Sequence, residues 1–148
     1  MSRRRSAFTL IEILVVVVIL GVLSAIVVPQ FNSATEETRA GGTYSQLIKL
    51  RNALDVYYVR EGNVYPNITA GVATWGELLT APGYLQEPPM NVWVGSNNAG
   101  RTIVLGNGPD AAWQNTHGWI YDNDPNSLTY GKIWAGGFDA SDSPHPKP

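Results

Sequence analysis

"RRRSAFTLIEILVVVVILGVLSAIVVPQF", residues 3–31, is the stretch whose reading decides how the rest of the chain is organised. Three arginines stand before a long apolar run, and that run carries a single charge, Glu12. From Phe8 to Val28 it covers 21 residues, which as a helix is roughly 31 Å, about the thickness of a bilayer's hydrocarbon core. A carboxylate near the centre of a bilayer costs ~2.5–3.5 kcal/mol on insertion scales. A position near the edge of the run lowers that cost without removing it, so the glutamate needs a use.

The totals bound the possibilities. A chain of 148 residues allows one domain, or a membrane segment plus one small domain. The formal charge of −2 gives no basic footprint for nucleic acid. With no cysteine, disulfide staples, thiol catalysis and thiolate metal sites are excluded. Arg3, Arg4 and Arg5 precede the run and most acidic residues follow it, which keeps the amino terminus in the cytoplasm and sends the carboxyl part outside. A secretory signal peptide has an apolar core of about 7–15 residues, shorter than this run. Leu23-Ser24-Ala25 also puts a leucine where a small residue is wanted for cleavage. A plain membrane anchor suits the length and the arginines but gives no reason for Glu12.

Phe8-Thr9-Leu10-Ile11-Glu12, behind a short basic leader and ahead of a Val/Ile/Leu helix, resembles the amino-terminal signature of type IV pilins and type II secretion pseudopilins. Gly21 and Pro29 fall where those proteins carry a helix-loosening glycine and a proline, and "ILGVLSAIVVPQF" (19–31) is similar to the version in major pseudopilins. The resemblance implies a precursor cut by a prepilin peptidase between Ala7 and Phe8 and methylated on the new Phe8 terminus. It also implies a structural, non-enzymatic subunit that packs through its amino-terminal helix into a helical filament. Its partners would be copies of itself, other pilin-like subunits, the membrane and an inner-membrane assembly platform. The implied location is a single inner-membrane pass with a periplasmic head, then an envelope filament. The residue before the cut is typically glycine; here it is Ala7, the next smallest side chain. Within the family, lack of the carboxyl-terminal disulfide loop common in surface pilins favours a pseudopilin over a type IV pilin for adhesion, motility or DNA uptake. The lost Asp-rich calcium loop of the major pseudopilin argues mildly the other way. A membrane-tethered binding or enzymatic domain that never assembles is the alternative from another class.

Removal of the leader would give Phe8 a free amino group, with an ordinary pKa of ~7.7–8.0 and so largely cationic at neutral pH. Glu12 lies four residues along the same helix, within reach of that cation. A neighbouring subunit shifted along a filament axis can offer the same cation to the same carboxylate. In apolar surroundings such a pair attracts far more strongly than in water, so pairing across subunits rewards one axial register. The same cut lowers the count of 10 cationic residues by three, against 12 acidic ones. Like-charged heads then repel in a salt-sensitive way.

The expected fold is α+β, with a long kinked amino-terminal helix packed on a small antiparallel β-sheet head. The segments are a basic leader (1–7), a transmembrane and filament-core helix (8–28), an amphipathic helix (29–62), a globular β head (63–137) and a disordered, Pro- and Ser-rich tail (138–148). Pro29 removes a helical hydrogen bond and predicts a kink near Ile26–Pro29 rather than a stop. Gly41-Gly42 weakens the helix further along by ~1 kcal/mol per glycine. Beyond it, Leu47, Leu50, Leu54 and Tyr57 form one apolar stripe, broadened by Ile48 and Tyr58. Gly62 is a natural stop. Residues 91–95, 101–106, 118–122 and 130–135 read as strands, the last two as a hairpin. Tryptophans 75, 93, 113, 119 and 134 supply much of the expected core. "GNVYPN" (62–67), "YLQEPPMNVW" (84–93) and the hairpin resemble pseudopilin heads more patchily than the amino terminus does.

Candidate chemistry in the head is sparse. Asp122, Asp124 and Asn126 have the spacing of the first half of an EF-hand loop. Ser127 stands at position six and Ile133 at position twelve, so the EF-hand fails. A calcium site of another kind, on Asp122 or Asp124 with Asp110 or Asp139, stays open beside the favoured reading of a polar turn rich in Asx and Pro. His117 and His145 have no second ligand at helical or hairpin spacing. No catalytic constellation and no other cofactor motif is found.

Overall fold

The structure, a computed structural model, describes residues 8–80, 84–95 and 98–148. It contains one long helix, α1 (Leu10–Arg60), and four short strands: β1 (Gly71–Val72), β2 (Thr102–Leu105), β3 (Trp119–Tyr121) and β4 (Ile133–Ala135). A one-turn helix, α2 (Glu77–Thr80), and a 3-10 turn (Ala99–Arg101) lie between β1 and β2. The chain forms two compact units that divide between Glu37 and Thr38.

The first unit is helical against local preference. Its run of Ile, Leu and Val is dominated by β-branched side chains, which lose rotamer freedom in a helix. A membrane reverses the ranking, because a helix satisfies every backbone polar group within one segment. The helix continues through Gly21, Pro29 and Gly41-Gly42 without a break. Near these positions hydroxyls reach back one turn: Ser33 Oγ donates to the Pro29 carbonyl (3.2 Å), Thr35 Oγ1 to Phe31 (2.8 Å) and Ser45 Oγ to Gly41 (3.0 Å).

The second unit carries the core. Leu47, Leu50, Leu54 and Tyr57, the stripe read from the sequence, are buried, joined by Thr43 and Ala53. Ile48 does not broaden the stripe; it faces outward, and Tyr58 is half-buried against the Tyr65 ring, with centroids 4.5 Å apart. The helix ends where expected, with Gly62 at φ +76° and Asn63 N–H donating to the Tyr58 carbonyl (2.8 Å). Against the stripe pack Ile68, Trp75, Leu78, Trp93, Ile103, Trp119, Tyr121, Ile133 and Phe138. Three of the five tryptophans are therefore core, while Trp113 and Trp134 are half-buried.

The sheet has the order β1-β2-β3-β4 and is mixed rather than antiparallel. β1–β2 and β3–β4 are antiparallel, with Trp119 opposite Ala135, but β2 and β3 run parallel, with Ile103 opposite Trp119. A parallel pair needs a crossover of about a dozen residues or more, and the turn-rich connection 106–118 supplies it.

Residues 91–95 are not a strand. Asn91 is fully buried, and its side-chain oxygen accepts from the Trp93 and Val94 amides (2.9 and 3.1 Å) and from Thr43 Oγ1 (3.1 Å). Its amide nitrogen donates to the carbonyls of Gly118 (2.8 Å) and Gly136 (2.9 Å). Local side-chain bonds of this kind compete with ladder pairing and fold the segment into turns. Gly118 has no room for a side chain, since a Cβ there would overlap the Gly100 carbonyl.

The tail expected to be disordered is packed. Phe138 is buried and bridges to Pro144. Arg51 forms a bidentate pair with Asp142 (2.6 and 2.9 Å) and also donates to the Ile133 carbonyl (3.2 Å). Lys147 Nζ lies 4.2 Å from the centre of the Trp93 ring. The prolines and serines conceal one buried aromatic and these charges, which give the segment enough contacts to offset its ordering entropy.

Candidate assembly site

Every residue from Phe8 to Arg39 is exposed. The apolar part of this stretch, residues 8–28, is a lipid-facing or partner-facing surface. At its start Thr9 and Glu12 form a reciprocal cap. The Glu12 carboxylate accepts from the Thr9 backbone N–H (2.8 Å) and from Thr9 Oγ1 (2.8 Å), while the Glu12 N–H donates to Thr9 Oγ1 (3.4 Å). Thr9 is thus the N-cap and Glu12 the third helical residue of a capping box. The carboxylate also sits where the helix dipole favours negative charge. The cap was legible as Thr-x-x-Glu before an apolar run, and the reading of Glu12 as an intersubunit group passes over it. In the isolated chain the carboxylate is held by its own helix; Phe8, 81 % exposed, directly precedes the capping Thr9.

Residues 2–28 match the model of the prokaryotic N-terminal methylation motif. The type II secretion system core protein G of Aeromonas hydrophila is 36 % identical over 101 residues, covering 62 % of this chain and 70 % of that protein. The protein of the same name from Dickeya chrysanthemi is 32 % identical over 125 residues, covering 74 % and 81 %. This chain belongs to the type II secretion core protein G family. A third core protein G, from Escherichia coli K12, is 32 % identical over 122 residues, covering 72 % and 83 %. No solved structure matches the chain.

As a core protein G family member the chain places its other candidate residues as follows. Ala7 lies outside the described residues, and Gly21 and Pro29 lie within α1. Asp122 and Asp124 sit in the β3–β4 turn. The Asp122 carboxylate accepts from Ser127 Oγ (2.5 Å), Thr129 Oγ1 (2.6 Å) and the Asp124 amide (3.0 Å). Burial opposes its charge, but these donors outweigh the burial and hold its pKa below the usual carboxylate value. Asp124 accepts from the Asn126 amide (2.9 Å). Asp110 and Asp139 are occupied elsewhere. Asp110 accepts from Gln114 (2.9 Å) and the Gly137 amide (2.7 Å), and Asp139 from the Ser141 and Ser143 amides (2.8 and 3.0 Å). Among the described residues no three His, Asp or Glu side chains are grouped to hold a metal.

Both histidines converge on Asp110, a juxtaposition that sequence spacing could not reveal. His117 Nε2 lies 3.3 Å from its carboxylate and His145 Nε2 lies 2.9 Å from its carbonyl, so the crossover is tied to the tail.

Proposed function

We propose that this chain is a major pseudopilin, a structural subunit of a cell-envelope filament of type II secretion. The precursor is trimmed between Ala7 and Phe8 by a prepilin peptidase and methylated on Phe8. Arg3, Arg4 and Arg5 hold the leader in the cytoplasm and the head stands on the periplasmic side. On the inner-membrane assembly platform the apolar half of α1 packs with copies of itself and other pilin-like subunits to form the filament core.

The observation that carries this reading is the exposed apolar first part of α1, headed by one self-capped carboxylate. The cap lets Glu12 reside in the membrane with two donors satisfied. On assembly, the Phe8 amino group of a neighbour competes for the same oxygens. A charge-assisted pair in an apolar surround exceeds a neutral hydroxyl bond, so the exchange is favourable only where the two subunits are in register.

The test is expression of wild type, Glu12→Gln and Glu12→Leu with the peptidase and assembly machinery, scored by amino-terminal mass and by sheared filaments. Wild type should begin at a methylated Phe8 and yield filaments. Glu12→Leu should be trimmed and not assemble, with Glu12→Gln between them. Filaments from Glu12→Leu at wild-type yield would refute the role of Glu12, and an untrimmed wild type would refute the processing.

A further inference from the structure

"GNGPD" (106–110), where the chain leaves β2 for the crossover to β3, holds Asn107, the only asparagine in the sequence that precedes a glycine. Asparagine is a chemically labile side chain. Its amide carbon is open to attack by the backbone nitrogen of the next residue, and a side chain on that residue hinders the approach. Glycine presents no such obstacle. The pair is reactive by sequence, and the fold decides whether it is held apart.

The fold leaves it free. Asn107 is exposed, and among the described residues its side chain makes no hydrogen bond and the Gly108 N–H has no acceptor. A Cβ built on Gly108 would meet nothing within 4 Å. The Asn107 main-chain carbonyl accepts from Thr129 Oγ1 (3.2 Å), which steadies the backbone without restraining the amide. Two asparagines in the β3–β4 turn are treated differently. Asn123 Nδ2 donates to the Asn67 side chain (2.8 Å) and the Ile68 carbonyl (3.2 Å), and the following Asp124 N–H donates to Asp122 (3.0 Å). Asn126 Nδ2 donates to Asp124 (3.3 Å), and the following Ser127 N–H donates to the Asp124 carbonyl (2.9 Å). At both sites the amide and the attacking nitrogen must each give up a bond before they can meet.

We propose that Asn107 is a site of spontaneous deamidation through a cyclic imide formed with Gly108. The Gly108 nitrogen bonds to Asn107 Cγ, the Cγ–Nδ2 bond breaks, and Nδ2 leaves as ammonia with the Gly108 amide proton. Water then opens the ring. Attack at Cγ leaves an aspartate, and attack at the main-chain carbonyl leaves an isoaspartate, which routes the chain through one extra carbon. Either product puts a new negative charge on the crossover, next to a hydroxyl that already serves Asp122 (2.6 Å). The chemistry needs water and no partner, so it does not depend on the filament reading.

The test is to hold full-length protein in detergent at mildly alkaline pH, with and without urea, and to digest it with trypsin. The peptide 102–132 carries Asn107, Asn123 and Asn126 together; fragment masses report each site, and chromatography separates aspartate from isoaspartate. In the folded protein Asn107 should convert about tenfold or more faster than the other two, which must first break two hydrogen bonds each. In urea Asn123 and Asn126 should speed up while Asn107 hardly changes. Gly108→Ala should slow Asn107 and leave Asn126 as it was. Asn107 still an amide when Asn126 has converted, an acceleration of Asn107 in urea equal to theirs, or an undiminished rate in Gly108→Ala would each overturn the proposal.

Discussion

Removing the Asn91 side chain tests whether one buried amide organises the head. Asn91 makes five side-chain hydrogen bonds, to Thr43, Trp93, Val94, Gly118 and Gly136. In Asn91→Ala the Gly136 carbonyl and the Val94 amide lose their bonds, whereas the Gly118 carbonyl keeps the Gly136 amide (2.7 Å) and the Trp93 amide keeps Thr43 Oγ1 (3.0 Å). Each buried group left unsatisfied costs about 1–3 kcal/mol. With partial relaxation the expected loss is about 2–4 kcal/mol, a large share of the roughly 5–15 kcal/mol that stabilises a small domain. Asn91→Asp sharpens the test. It keeps the acceptor but turns the donor toward the two glycine carbonyls into a second oxygen, so at neutral pH it should be worse than alanine. At acidic pH protonation restores one donor, and the gap between the two variants should narrow. The assay is urea unfolding of full-length protein in detergent, followed by tryptophan fluorescence, with midpoints compared at equal slope. A loss below about 1 kcal/mol for Asn91→Ala would refute the hub.

Thr9→Ala should cost about 1 kcal/mol of helix-end stability, seen as faster amide exchange over Leu10–Ile13 in micelles; unchanged exchange would count against the cap. Asp142→Asn should release the tail and hasten carboxypeptidase removal of residues after Phe138, with a stability loss of only about 1 kcal/mol because the pair is part-exposed. The Tyr57 hydroxyl bonds to Glu77, which with burial pushes its pKa up to about 12. A raised folded pKa contributes stability below the unfolded value near 10 and loses it as pH rises toward the folded one, so alkaline unfolding should steepen between about pH 10 and 12, and Tyr57→Phe should abolish that component. For Asp122 the sign reverses. Its lowered pKa contributes stability above the unfolded carboxyl value and loses it as pH falls through the folded one, so the turn should hold until distinctly acidic pH.

The long elements were readable because their signals are local and repeated. The Leu47–Leu50–Leu54–Tyr57 stripe and the Gly62 stop follow from helical spacing and a single φ. The β3–β4 hairpin follows from two aromatic runs close in sequence. What escaped was set by distant partners. Asn91 reads as part of a strand until Gly118 and Gly136 come within reach, and the tail reads as disordered until Arg51 meets Asp142. The parallel β2–β3 pairing depends on a crossover whose path no local pattern fixes. At the candidate assembly site Glu12 stands out in the sequence as the lone charge of the apolar run, while its grip on Thr9 was present as a Thr-x-x-Glu pattern overshadowed by that run.

Thr43 is the first residue of α1 that is buried, and it meets Asn91 there. On the filament reading proposed above, a pull on the second unit from its amino-terminal end would meet its first buried side chain at this point. Its first resistance is a cluster of short, directional bonds anchored in two separate loops, with the leucines only afterwards. Hydrogen bonds sheared together resist more than the same bonds opened one by one, so under such a pull the amide would serve as a clasp where peeling would otherwise begin. Extraction force would then set the requirement for a polar residue at the edge of an apolar interface, a requirement that equilibrium stability alone does not impose.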